Sequence, residues 1–164
     1  MKELLDKISS YNLFNYLFPG ILFAVIADGV TSAKLLQHDL VVGVFVYYFL
    51  GAVVSRVGSI LIEPILRWIG FVRFMDYADF VSAAKSDPKL EILSETNNMY
   101  RTLSGLFLLI GILAAYDFAA ASYPWLHKAA SAICIVALFM LFLISYRKQS
   151  TYIAMRIRAQ KPQG

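Results

Sequence analysis

Two ionisable residues, Arg56 and Glu63, interrupt an otherwise apolar stretch over residues 40–66. A charged group at the centre of a lipid-facing helix costs about 2.5–3.5 kcal/mol on insertion scales, so both side chains are expected to look inward. Ala52, Arg56, Ser59, Glu63 and Arg67 follow 4-3-4-4 spacing, which puts them on one face of a helix. Arg56 and Glu63 stand about 10 Å apart along that helix at its rise of 1.5 Å per residue, too far for a salt bridge within it. Glu63 can instead pair with Arg67 one turn on, or with a neighbouring subunit. Gly51, Ser55 and Ser59 recur every fourth residue, the spacing that lets membrane helices approach closely.

Such a stripe admits one kind of chemistry, the passage of ions. Copies of it around an axis would set Glu63 in a carboxylate ring that attracts cations, with Ser59 and Arg56 as the other pore candidates. Arg56, lying deeper, would resist cations unless paired, which also suits it to bracing a helix contact. The helix-packing candidates are Gly51, Ser55 and Ser59. The competing reading is structural: Glu63 snorkels to the headgroups beside Pro64 and Arg67, and Arg56 reaches the same region or an internal carbonyl. A path through one chain of this size is too narrow for water, so conduction requires a homo-oligomer, a ring of about four subunits.

Enzymatic chemistry is not expected. There is no His-Glu-x-x-His, Gly-x-Ser-x-Gly or phosphate loop, and Ser104-Gly105 has no histidine beside it to act as a base. His38, Asp39, Asp117 and His127 flank the apolar stretches, but no pair among them has ligand spacing on one helix, so neither a metal nor a cofactor is implied. Cys134 is the single cysteine and lies inside an apolar stretch, so no disulfide framework exists.

The elements that must position the stripe follow from composition. With 59% hydrophobic residues, 16% charged residues and a mean hydropathy of +0.64, the chain is too apolar for a soluble domain of 164 residues. Windows at 13–30, 40–66, 102–120 and 129–146 have spanning length, giving an all-α integral membrane protein with four transmembrane helices in a single domain, 1–164. The first window follows Lys2 and Lys7 as a signal peptide would, but Pro19-Gly20 interrupts it and no small-residue cleavage site follows. Basic residues crowd the amino terminus, the segment 67–101 and the tail 147–164, whereas the remaining loops hold Lys34 and Lys128. Both termini and the segment 67–101 are therefore assigned to the cytoplasm, as the positive-inside rule requires.

Residues 1–12 pattern as a short interfacial helix, and Pro19-Gly20 predicts a kink or local break. Within 67–101, residues 76–85 read as a short helix, and Asp87-Pro88 starts a second that meets no Gly or Pro before the third span. The tail can continue the last helix into the cytoplasm. Its basic residues, and those of 67–101, admit two readings. They are topological charge, or a site for a nucleotide, an oligonucleotide or an anionic lipid, with Tyr100 or Tyr152 stacking on a base.

The run Tyr11-Asn12-Leu13-Phe14-Asn15-Tyr16-Leu17-Phe18-Pro19-Gly20 and the phrase from Ser55-Arg56-Val57-Gly58-Ser59 to Glu63-Pro64 resemble small four-span membrane proteins of bacterial anti-phage systems. The channel subunits of Hailong systems are the nearer likeness, and the Kiwa membrane subunits the second. The Hailong resemblance implies a homo-oligomeric inner-membrane channel whose acidic pore ring would fall on Glu63. It also implies a cytosolic nucleotidyltransferase partner whose oligonucleotide product holds the channel shut until infection, when opening depolarises the membrane. The ligand would then meet Arg73, Lys89, Arg101, Arg147 and Arg156. The alternative function is a non-conducting membrane scaffold that recruits a cytosolic defence partner.

Overall fold

The computed structural model describes residues 13–160, and every regular element among them is helical. A π-helical turn, Leu13–Leu17, leads into α1 (Phe18–Val30), and α2 (Leu40–Val57) passes through a second π turn, Gly58–Ile62, into α3 (Glu63–Trp68). A short α4 (Tyr77–Ser86) precedes two long rods, α5 (Lys89–Ser122) and α6 (Trp125–Gln160). The interfacial helix expected over 1–12 lies outside the described residues.

Three helices are long and apolar enough to cross a membrane: Leu40–Trp68, Lys89–Ser122 and Trp125–Ala159. The expected first span is a shorter apolar helix, Asn15–Val30. At 1.5 Å per residue it reaches about 24 Å, against a hydrocarbon core of about 30 Å.

The helix starts follow the local chemistry. Asp39 accepts a hydrogen bond from Val42 N–H at 2.8 Å, Asp76 from Tyr77 N–H at 2.8 Å, and Asp87 from Lys89 N–H at 3.0 Å. Each carboxylate satisfies a first-turn donor that has no partner inside its helix. The chain leaves α3 through Gly70, whose φ of 74° suits a residue without Cβ. From Asp87 onward nothing stops α5, and it runs unbroken from the polar segment 67–101 through the apolar stretch.

Both π turns end two residues before a proline, Pro19 in one case and Pro64 in the other. Proline offers no N–H to the carbonyl four residues back, and its ring crowds that oxygen, so the preceding turn widens. In the second turn Glu63 N–H accordingly donates to the Gly58 carbonyl, five residues back. The irregularity expected at Pro19-Gly20 therefore takes the form of a wide turn ahead of the proline, and Pro64 produces the same feature where the sequence pattern implied a regular helix.

The core gathers Phe23 and Ala27 of α1, Val54 of α2 and Leu106 of α5, with Leu22, Ile26, Leu50, Leu103 and Leu109 packed around them. In lipid such packing rests on close contact, since hydrocarbon tails are as apolar as the side chains. Glycines supply that closeness: a Cβ at Gly20 would collide with the Tyr47 carbonyl, and one at Gly51 with the Tyr16 carbonyl. α6 lies at the edge: 6% of its apolar window is buried, against 33% for Leu40–Trp68 and 17% for Lys89–Ser122. Phe142 leans on Phe49 at 6.0 Å between ring centres, and α4 joins α6 through Tyr77 and Tyr152, also 6.0 Å apart.

Candidate functional site

The crossing of the second π turn with α5 sets up the site. A Cβ on Gly58 would lie 2.6 Å from the Arg101 carbonyl, and one on Gly105 would lie 2.8 Å from both Gly58 N and the Val54 carbonyl. Two backbones thus touch where neither residue carries a side chain. Arg101 stands one helical turn before Gly105, on the same face, and Glu63 stands one wide turn after Gly58. The contact between glycines therefore delivers the guanidinium to the carboxylate.

Arg101 Nη1 donates to Glu63 Oε2 at 2.5 Å, and Lys148 Nζ of α6 donates to Glu63 Oε1 at 3.0 Å. Lys148 also donates to the Ser59 carbonyl at 2.7 Å and to Ser59 Oγ at 2.8 Å. All three ammonium protons are committed to these contacts. Glu63 is 7% exposed, while the side chains of Arg101 and Lys148 are 22% and 25% exposed. One buried carboxylate thereby ties together α3, α5 and α6. Arg101 Nε is buried and makes no hydrogen bond.

This clasp sits at one level of the molecule. The expected spans end at residues 66, 102 and 146, within a few positions of Glu63, Arg101 and Lys148 respectively. The three charges therefore meet where hydropathy puts one boundary of the apolar stretches, with Lys148 and Tyr152 on the continuation of α6 beyond it. The Lys148 ammonium lies 5.7 Å from the centre of the Tyr152 ring.

The structure separates the residues of the sequence stripe. Arg56 reaches a different helix, with Nη2 directed at Tyr16 Oη at 3.4 Å, whereas Ser59 and Glu63 face Lys148. The π turn between Arg56 and Glu63 re-phases the helix, so the regular spacing does not keep them on one face. Arg67, an expected partner of Glu63, instead lies over the Phe74 ring at 5.3 Å. The ridge of small residues is used within one chain: Gly51 meets Tyr16, Ser55 is buried, and Ser59 accepts from Lys148.

The candidate ligand cations are not drawn together. Arg101 points into the clasp, whereas Arg73, Lys89, Arg147 and Arg156 are exposed and belong to the loop before α4, the start of α5 and two positions along α6. On the opposite side, Asp117 accepts from Ser32 N–H at 2.6 Å and from Ser32 Oγ at 2.5 Å, fastening the loop after α1 to α5. His127 contacts Tyr116 Oη at 3.3 Å, and Asp39 caps α2, so these residues serve local structure.

Sequence reasoning missed Lys148 and the pair Gly58 and Gly105. Lys148 is one of five basic residues in the tail, and nothing local distinguishes it. Glycines inside two apolar stretches were the available signal for the crossing. No known family model, characterised protein or solved structure matches this chain.

Proposed function

We propose that the chain is a multi-pass protein of the bacterial inner membrane that assembles as a homo-oligomeric ion channel, is opened from the cytoplasm and acts as the depolarising effector of an anti-phage system. The observation that carries this reading is the clasp: a buried carboxylate held by cations from two rods, α5 and α6, that both continue past the apolar stretches. A ligand or partner that moves those rods acts directly on Glu63. In the closed state Arg101 and Lys148 neutralise the carboxylate. When they withdraw, the Glu63 side chains of several subunits face a shared axis and attract cations.

The distribution of basic residues supports cytoplasmic placement of both termini and of residues 67–101. Asn15–Val30 serves as the fourth crossing, a short helix being accommodated by local thinning of the bilayer. The exposed apolar side of α6 meets lipid and neighbouring subunits. Arg73, Lys89, Arg147 and Arg156 remain open to an oligonucleotide, whose binding would weaken as salt rises. A cytosolic nucleotidyltransferase would be the source of that ligand.

The test is membrane potential in expressing cells, followed with a voltage-sensitive dye. Lys148→Met removes one arm of the clasp and is expected to depolarise without any trigger, whereas adding Glu63→Gln to it restores the potential. If Lys148→Met and the wild type, freed of any partner, both leave the potential intact, conduction is rejected. The scaffold reading is favoured by exposed Ile92, Leu93, Ile153 and Ile157 on the cytosolic parts of α5 and α6. It predicts that these residues retain a partner while the potential stays unchanged.

A further inference from the structure

Beside the clasp, between α3 and α6, lies a cavity of about 390 Å³ lined by Ser59, Ile60, Glu63, Pro64, Arg67, Ile144, Lys148 and Tyr152. We propose that this cavity binds the phosphate headgroup of an anionic phospholipid of the cytoplasmic leaflet. The site rests on the chain spanning the membrane but not on its conducting ions.

Charge comes first. Arg67, Arg101 and Lys148 stand around a single carboxylate, Glu63, which Arg101 and Lys148 already share. The cluster therefore keeps an excess of positive charge at the hydrocarbon boundary, where an anion is needed to balance it. Donors come second. Lys148 has committed its protons, but Arg67 and Tyr152 also line the cavity, and their side chains make no hydrogen bond among the described residues. A guanidinium with free N–H groups beside a phenol hydroxyl suits phosphate oxygens.

The apolar wall argues for a lipid over a free phosphate. Ile60, Pro64 and Ile144 also line the cavity, and they belong to the apolar stretches 40–66 and 129–146. From the last residue of α3 onward the chain presents Trp68, Phe71 and Met75 at 87%, 76% and 80% exposure, with Ile69 and Phe74 also exposed. Five large apolar side chains on the turn that carries Arg67 and Arg73 fit the headgroup layer, where aromatic rings bury one edge in acyl chains. The turn thus seats on the leaflet beside the cavity, and a lipid can place its phosphate on Arg67 and Tyr152 and its chains along Ile60 and Ile144.

The experiment uses the full chain in detergent micelles, with native mass spectrometry to count bound lipid. Phosphatidylglycerol is titrated against phosphatidylcholine, and glycerol phosphate is the competitor without chains. Wild-type protein is expected to retain phosphatidylglycerol in preference to phosphatidylcholine and not to release it to an equal concentration of glycerol phosphate. Arg67→Gln is expected to weaken retention roughly fivefold, the effect of about one basic charge at an anionic surface. Lys85→Gln, the same change in charge on α4, is expected to leave it unaltered. Ile144→Trp keeps every charge but fills the cavity, and is expected to reduce retention as well. Equal retention of the two lipids, equal effects of Arg67→Gln and Lys85→Gln, or displacement by glycerol phosphate would overturn the site. Liposome flotation separates this outcome from a failure to span the membrane, because a variant that lost only the site would still float.

Discussion

Replacing Glu63 with glutamine keeps the shape of the side chain and removes the charge on which two cations converge. At an effective dielectric constant of about 20, unit charges 3 Å apart attract by about 5 kcal/mol. The Lys148 contact has this spacing, 3.0 Å, and the Arg101 contact is 2.5 Å. Burying the ions offsets much of that attraction, and breaking one partner of a buried pair usually costs about 3–5 kcal/mol. Arg101 and Lys148 are 22% and 25% exposed, so each regains some water once the carboxylate charge is gone. The amide oxygen of glutamine can also still accept one bond. The expected loss is therefore at the lower end, about 3 kcal/mol, or two orders of magnitude in the folding equilibrium. Titration of the micellar protein with dodecyl sulfate, followed by circular dichroism, measures it. Lys148→Met should cost less because the Arg101 pair survives, and the double variant should fall short of the sum by about 2 kcal/mol. A loss below about 0.5 kcal/mol for Glu63→Gln, or strict additivity in the cycle, would refute the clasp as a source of stability.

Other perturbations test the scaffold around it. Gly105→Ala introduces a Cβ 2.8 Å from Gly58 N and should destabilise the chain by about 1–3 kcal/mol in the same titration, whereas Gly29→Ala, with nothing within 4 Å, should not. Pro64→Ala restores a donor for the Ile60 carbonyl, so the π turn should give way to regular helix and rotate Glu63 off its partners. The coupling between Glu63 and Lys148 would then vanish from the double-variant cycle, and its survival would argue that the π turn does not orient Glu63. With Cys134 replaced by alanine, an impermeant maleimide should label Ala33→Cys from the periplasmic side and Lys85→Cys only after the membrane is opened. Labelling in the reverse order would overturn the orientation.

Hydrophobic runs, N-capping carboxylates and prolines act over a few residues, and what they govern was legible in the chain itself. The helical class, the three long apolar helices, the restart at Asp87-Pro88 and the continuation of α5 through residue 101 all follow from such short-range preferences. So did the inward placement of Glu63, because lipid tolerates an unpaired carboxylate poorly. The identity of its partners was a different matter. Arg101 and Lys148 lie 38 and 85 positions further along the chain, and choosing them required knowing that Gly58 and Gly105 touch and that α6 passes beside Ser59. Periodicity also assumed one helical phase from Arg56 to Glu63, which the wide turn ahead of Pro64 breaks. A sequence states which groups need a partner, since desolvation is a property of each residue. Which partner answers is set by backbone approach and helix phase, and these exist only once the helices are packed.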